Sequence, residues 1–267
     1  MNKWLVIVNP VSGKKKGKRH FAKLARLLER AGIKFQYFFT ERQNHATEIA
    51  REQIQNGYRK ILVVGGDGTA NEVANGIMTQ NEIAPKEIKL AIAVTGTGCD
   101  WIKTTGMPKK LRQVVEAIKA EKTNLHDVGI AAWQNDGQQQ KRYFVNMAGM
   151  GFDGYVTEKV SRKSGWLSEW KMAYTLTTLA SLPGYKPTHA TISIDGQKHK
   201  TEAMTIAVGN CQYNGGGMRQ LPFAKFDDGI LDMTVIKKMP LLSMFWHFPK
   251  IMSGSFVKMK TVETFTG

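Results

Sequence analysis

The chain is poor in cysteine, in acid and in long apolar runs. Its 267 residues include two cysteines, Cys99 and Cys211. Two thiols so far apart exclude a disulfide framework and a zinc-site spacing, and they fit a reducing compartment. No apolar stretch reaches the roughly 20 residues of a membrane-spanning helix. The first apolar run, Leu5-Val6-Ile7-Val8, is short and lacks a basic leader and a small-residue cleavage site. No secretory signal is read there, and a cytoplasmic location is expected. There is no internal repeat, no helix-turn-helix, no zinc-finger spacing and no aromatic-plus-basic motif, so nucleic acid is not an expected partner. Acid is scarce: 22 Asp+Glu stand against 38 Lys+Arg, a net charge of +16. Such an excess either draws the protein to an anionic membrane surface, at about 1 kcal/mol per base lying close, or serves solubility.

What is present is glycine in a telling place. Gly65-Gly66-Asp67-Gly68-Thr69 follows the apolar run Ile61-Leu62-Val63-Val64 and precedes Glu72, Val73 and Ile77 at helical spacing. A buried strand that turns through glycine into a helix sets backbone N–H groups at a helix N-terminus, where they suit phosphate oxygens. Glycine removes the Cβ atoms that would block close approach. Asp67 adds a carboxylate suited to a phosphate-bound Mg²⁺. The motif predicts a nucleotide-using phosphotransferase; the plainer alternative is an ordinary turn of an α/β fold.

Strand and helix patterns alternate around this turn. Leu5 to Val8 runs into Asn9-Pro10-Val11-Ser12-Gly13-Lys14, and a helix with Phe21, Leu24, Ala25 and Leu28 on one face follows. Lys18 stands where a Walker A loop needs its second glycine, so that signature is excluded. Phe35 to Phe39 is a strand ending at Thr40, and the helix with Ala46, Ile49, Ala50 and Ile54 closes at Gly57. Lys89 to Val94 is a strand ending in Thr95-Gly96-Thr97-Gly98-Cys99-Asp100, and Pro108 opens a helix carrying Leu111, Val114, Val115 and Ile118. The alternation predicts a mostly parallel sheet with helices on both faces, and all four loops then fall on the ligand-binding edge.

The second half changes character. Strand-like runs cover Tyr143 to Met147, Ala190 to Ile194, Met204 to Gly209 and Leu231 to Ile236, with Asp195-Gly196 as a hairpin signal. Gln138-Gln139-Gln140 with Asp136-Gly137 reads as a short hairpin loop, and Trp166 to Leu182 as a helix stopped by Pro183-Gly184. Two domains are expected, an α/β domain over 1–122 and a β-rich, sandwich-like domain over 123–267. Within the second, Asp227-Asp228-Gly229 reads either as a polar turn or as a chelate for a hard cation.

Taken together, Asn-Pro-x-Ser-Gly at 9–13, Gly-Gly-Asp-Gly-Thr at 65–69, Gly-Thr-x-x-Asp at 96–100, Gly-Phe-Asp-Gly at 151–154 and Asp-Asp-Gly-x-Leu-Asp at 227–232 resemble the diacylglycerol kinase catalytic-domain family. That family includes bacterial soluble lipid kinases and the sphingosine and ceramide kinases. The resemblance implies a nucleotide-binding α/β domain and a β-sandwich domain, with ATP and a lipid substrate meeting in the cleft between them. It implies that Asn9, Pro10, Ser12, Gly13, Thr40, Gly65, Gly66, Asp67, Gly68, Thr69, Glu72 and Thr97 border ATP. Asp67 would face Mg²⁺ and the γ-phosphate, and Asp127 matches an acid near the cleft; these two are the expected catalytic residues. Lys225 and Ile230, through carbonyls, and Asp228, through its carboxylate, match a structural Mg²⁺ site. The implied reaction is in-line transfer of the γ-phosphate to a lipid hydroxyl, with diacylglycerol giving phosphatidic acid.

Two departures stand out. Relatives usually carry Asn where this chain has Cys99, and they carry a late Asp-Gly-Glu that residues 1–267 do not contain. The second departure keeps a non-catalytic nucleotide- and lipid-binding module as an alternative, alongside a soluble-substrate kinase of the NAD-kinase type. The apolar segment from Pro240 to Phe248, flanked by Lys237, Lys238 and Lys250, reads either as a membrane-interface contact or as a packed helix. A homodimer is left open.

Overall fold

The computed structural model describes residues 3–96, 98–162 and 185–267. Thr97 and the helix expected over Trp166 to Leu182, with its Pro183-Gly184 stop, lie outside the described residues. The chain divides into two compact units, Met1–Val145 and Asn146–Gly267.

The first unit is built on four parallel strands, β1 (Trp4–Val8), β2 (Phe35–Phe39), β3 (Lys60–Gly65) and β4 (Lys89–Val94), in the order β2-β1-β3-β4. Strands buried on both faces read as unbroken apolar runs, which is how β1 and β3 appear in the sequence. Alternate side chains still sort by face. Trp4, Val6, Val8, Leu62, Val64, Ala91 and Ala93 meet Phe21, Leu24 and Leu28 of α2 (Gly17–Arg30) and Val114, Val115 and Ile118 of α6 (Leu111–Ala120). Leu5, Ile7, Ile61, Val63 and Ile92 are the other set, all fully buried. On that side run α3 (His45–Gln55) and α4 (Asp67–Thr79), which pack closely enough that a Cβ on Gly76 would lie 2.6 Å from the Thr47 carbonyl oxygen. Each fully buried Leu or Ile contributes about 1.5–3 kcal/mol, so these two layers dominate the unit's stability.

The register aligns the strand ends. Val8 lies opposite Phe39 and Val64, and Val64 lies opposite Ala93. The loops that follow therefore emerge at one level along one edge of the sheet.

Three local expectations shift. α6 begins at Leu111 rather than at Pro108, after an extended Lys110. Asp136 and Gly137 alone form the turn, both at positive φ, and Gln138 to Gln140 already belong to β6 (Gln138–Phe144), paired with β5 (Gly129–Asn135). The run from Tyr143 to Met147 breaks at Val145-Asn146, between β6 and β7 (Met147–Gly151). The β5–β6 hairpin stays with the first unit, so the boundary falls after Val145 and not after residue 122. Side chains of α4 explain this. Asn75 donates to the Tyr143 carbonyl at 2.9 Å and accepts the Tyr143 N–H at 3.0 Å, and Asn71 accepts the Val145 N–H at 3.3 Å.

The second unit is an antiparallel sheet. β8 (Thr188–Ile194) turns at Asp195-Gly196 into β9 (Gln197–Gly209), as the hairpin signal predicts. β10 (Asp232–Lys237) and β11 (Val262–Thr266) complete the order β11-β10-β9-β7. The 13-residue β9 pairs β8 along its first half and β7 along its second. Phe152 and Val156 of α7 (Phe152–Arg162) share a core with Met204, Ile236, Phe256 and Val262. α8 (Leu241–Ser253) follows β10, and its Ile251 packs on that core.

One charge cluster ties the amino-terminal ends of β3 and β4 together. Glu121, just past α6, accepts Lys60 Nζ at 2.5 Å and Lys89 Nζ at 2.7 Å. The hydrogen bond from Lys60 and then that from Lys89 hold its carboxyl down at about 2, from an ordinary 4.5. A carboxylate with a depressed folded-state pKa stabilises the fold above its unfolded value and loses that contribution as pH falls toward the folded one. Thermal melting of wild type against Glu121→Gln should differ above about pH 4.5 and converge as pH approaches 2. The gap should narrow in high salt, since the cluster is exposed.

Candidate active site

The loops at the carboxyl ends of β1, β3 and β4 are joined by side-chain hydrogen bonds. Asn9 Nδ2 donates to Thr69 Oγ1 at 3.1 Å, while Asn9 Oδ1 accepts the Val11 N–H at 3.1 Å. Ser12 Oγ donates to the Asn9 carbonyl at 2.7 Å and receives Thr95 Oγ1 at 2.8 Å. Pro10 lies half-buried in this turn. Gly13 has φ +61°, and a Cβ there would sit 2.4 Å from the Thr95 carbonyl oxygen. Only glycine satisfies both the conformation and that approach. At the end of β2, the N–H of buried Thr40 donates to the Val8 carbonyl at 2.9 Å.

The glycine turn has two kinds of glycine. A Cβ on Gly65 would collide with Thr69, at 2.7 Å from its Oγ1, so Gly65 serves packing. Gly66 and Gly68 face open space, with nothing within 4 Å of an added Cβ. Gly66 is the N-cap of the 13-residue α4, and among the described residues no side-chain cap bond closes that helix end. An uncapped helix N-terminus presents free N–H groups and a partial positive charge. With a cradle that a Cβ would fill, this edge suits the phosphate oxygens of a nucleotide.

Asp67 and Glu72 are engaged within the protein. Asp67 Oδ2 accepts the Asp100 N–H at 2.8 Å; Oδ1 accepts the Trp101 N–H at 3.0 Å and the Cys99 thiol at 3.0 Å. The carboxylate thus caps α5 (Trp101–Thr105) and joins the loop after β3 to the loop after β4. A carboxylate has about four acceptor positions, so roughly one remains for a metal ion. Burial first, and then the Asp67 charge, push the Cys99 thiol well above its ordinary range, so it stays protonated and donates. Cys99 thereby supplies a donor at the position where the resemblance leads one to expect Asn. Glu72 Oε2 accepts the Ala46 N–H at 3.3 Å and caps α3. Expected beside the nucleotide, it has one carboxylate oxygen engaged by a neighbouring helix.

Asp127 is half-buried in the irregular segment before β5. Sequence reasoning missed its neighbour. His126 receives Trp101 Nε1–H at Nε2, 2.8 Å away, and its Nδ1 lies 2.7 Å from the Asp127 carbonyl oxygen. Lone His and Trp residues carry no motif signal, so only coordinates reveal this pair. Asn71 and Asn75 were missed for the same reason.

The third group of expected residues lies in the second unit. Gly229 has φ +74°, and Asp228 Oδ1 accepts the Ile230 N–H at 3.2 Å, closing a tight turn with Lys225, Asp228 and Ile230 all exposed. Asp232 is raised above the usual carboxylate range, by burial first and by the charge of Asp228 second, with Lys225 opposing. Two carboxylates that repel across an exposed turn fit a hard cation such as Mg²⁺. Among the described residues no cluster of three or more His, Cys, Asp or Glu forms a metal cage, so backbone oxygens would have to supply the remaining ligands.

A parallel sheet with a glycine turn at its carboxyl edge, followed by an antiparallel-sheet unit, places the chain in a two-domain α/β-plus-β class, and comparison with known proteins identifies the family. Residues 3–131 match the diacylglycerol kinase catalytic domain, and residues 146–267 match the YegS C-terminal NAD kinase beta sandwich-like domain. A diacylglycerol kinase of Bacillus subtilis (strain 168) is 30% identical over 240 residues, spanning 89% of this chain and 75% of that one. A diacylglycerol kinase of Staphylococcus haemolyticus (strain JCSC1435) is 32% identical over 240 residues, spanning 90% and 68%. The crystal structure of a diacylglycerol kinase from Bacillus anthracis str. Sterne superposes with a TM-score of 0.70 at 27% identity, covering all of this chain and 84% of that one. The chain belongs to the diacylglycerol kinase family.

The turn at 225–230 makes a direct test. Wild-type melting temperature should rise with millimolar Mg²⁺, and Asp228→Ala should lose that response. A wild type that ignores Mg²⁺, with a mutant that melts alongside it, would remove the metal from this turn.

Proposed function

We propose that this protein is an ATP-dependent lipid kinase that transfers the γ-phosphate to the hydroxyl of diacylglycerol, yielding phosphatidic acid. The observation that carries the reading is the open glycine cradle at Gly66 and Gly68, before an uncapped helix N-terminus, in a chain of this family. Its named relatives support diacylglycerol as the acceptor.

Phosphoryl transfer passes through a loose transition state, so catalysis rests on positioning and charge neutralisation. The N–H groups at the start of α4 would bind the phosphates, with Asn9, Ser12 and Thr69 shaping the floor. Mg²⁺, when bound, would neutralise charge on the transferring group, and Asp67 offers it the free acceptor position of its carboxylate. Asp127 would accept the proton of the attacking lipid hydroxyl, in keeping with a half-buried acid beside the strand-end loops.

Access to a lipid surface is the second part of the reading. Among the described residues no helix is long and apolar enough to cross a membrane. α8 exposes 76% of Trp246, followed by exposed Lys250 and Met252, a mix that suits the interface of an anionic bilayer. Lys237 and Lys238 are drawn into ion pairs with Glu263 and Glu202, so Lys250 and Lys258 are the better contacts. The protein would then act as a peripheral enzyme at the inner membrane face.

Radiolabelled ATP offered with mixed micelles of diacylglycerol and, separately, with soluble NAD should place label in the lipid. Label in NAD alone would make the protein an NAD-kinase-type enzyme, and no label would make it a non-catalytic binding module. Asp67→Asn should abolish transfer in a protein that stays folded, and near-wild-type turnover would remove Asp67 from the reaction.

Sedimentation with liposomes tests the membrane face. Binding should rise with anionic lipid and fall with salt, whose screening length is about 8 Å at physiological strength. Replacing Lys250 and Lys258 by glutamine should weaken it without changing ATP affinity. Equal binding to neutral and anionic vesicles at low salt would reduce the +16 charge to a solubility feature.

A further inference from the structure

We infer that Trp101 and His126 form a positioning pair, tying the helix capped by Asp67 to the backbone of Asp127. The inference rests on the kinase reading above and names residues to which that reading gives no role. It starts from two segments that cannot place themselves. α5 has only five residues, far below the length at which a helix holds itself in water. Residues 122–128 have neither helix nor strand, so Asp127 stands outside the regular elements of the unit.

Hydrogen bonds run through both segments without a gap. Asp67 receives the backbone N–H groups of Asp100 and Trp101 at 2.8 and 3.0 Å. From the same Trp101, the indole N–H reaches His126 Nε2 at 2.8 Å. His126 Nδ1 then meets the Asp127 carbonyl oxygen at 2.7 Å. Chemistry fixes the direction of each link. An indole N–H only donates, so Nε2 accepts. A carbonyl oxygen only accepts, so Nδ1 carries the proton. His126 is therefore the neutral Nδ1–H tautomer, with both ring nitrogens committed. Trp101 is 5% exposed, and the two rings lie 5.6 Å apart, so the indole is fixed by packing as well as by its bond.

The consequence is specific. A carboxylate in the phosphate-binding turn and the acid proposed to act on the acceptor hydroxyl are held in one rigid register through two side chains. Neither side chain needs to touch substrate. Phosphoryl transfer depends on alignment, and a misplacement of about 1 Å can cost on the order of a hundredfold. Loss of the pair should therefore lower kcat while the KM for ATP holds, because the glycine cradle itself is intact.

The test combines spectroscopy with kinetics on the full chain. In ¹⁵N-labelled protein, the indole signal that vanishes in Trp101→Phe identifies Trp101. That signal should move in His126→Phe and stay close to its wild-type place in His126→Gln, whose amide oxygen can accept the indole N–H. With diacylglycerol micelles, Trp101→Phe and His126→Phe should each lower kcat by roughly ten- to a hundredfold at unchanged KM for ATP. The double variant should be no worse than the weaker single one, since both remove the same link. His126→Gln should recover much of the loss. An unmoved indole signal in His126→Phe overturns the pairing. Additive losses, or a kcat within twofold of wild type, overturn its role in positioning. If wild type transfers no phosphate to lipid, the kinase reading fails on its own, and the indole signal still decides whether the link exists.

Discussion

The Asp67 carboxylate is the contact on which the ligand-binding edge depends. It leaves the first residue of α4 and collects three donors from residues 99 to 101. Without it, the backbone N–H groups at the start of α5 would lack an anion, and the loop after β4 would lose its anchor to the loop after β3. Charge-assisted bonds of this kind contribute about 1.5–3 kcal/mol each, so the three together outweigh any other polar contact along the edge. The Asn9–Thr69 and Ser12–Thr95 bonds then extend the same frame to the loop after β1. One residue thus would carry two demands if the proposed reaction holds, structure at three acceptor positions of its carboxylate and metal binding at the one that remains.

Much of the first unit was legible in the sequence because its signals are local. Unbroken apolar runs followed by glycine mark β1, β3 and β4, and the spacing of Phe21, Leu24 and Leu28 marks α2. The Asp195-Gly196 turn was equally plain, since its residues adopt φ of 47° and 83° as a two-residue hairpin requires. Boundaries were less legible. The strand-like run from Tyr143 to Met147 breaks at Val145-Asn146, where Asn71 and Asn75, some seventy positions earlier, take the Val145 and Tyr143 N–H groups. Such a break is tertiary, and no local pattern encodes it. For the same reason the sequence grouped the β5–β6 hairpin with the second half, while its contacts lie within the first unit.

Site residues divide along a similar line. Spacing indicates which loop a residue occupies, and it did so for Asn9, Ser12, Gly13 and the whole glycine turn. It does not indicate where a carboxylate points. Asp67 reaches the next loop and Glu72 reaches α3, because half-buried carboxylate oxygens seek nearby uncapped N–H groups. His126 and Trp101 were invisible beforehand for the opposite reason: their pairing joins residues 25 apart through ring nitrogens that belong to no motif.

The cross-bonded loops carry a further consequence for how a ligand is sheltered. Ser12 is bonded to Thr95 and to the Asn9 carbonyl, Asn9 to Thr69, and Asp67 to residues 99 to 101, so these segments brace one another. A rim assembled in advance loses little conformational freedom on capture, which favours affinity. It also has little room to fold down. Such loops form a braced ledge, and if they hold a phosphate, the removal of water from it would fall to the acceptor molecule or to other parts of the chain.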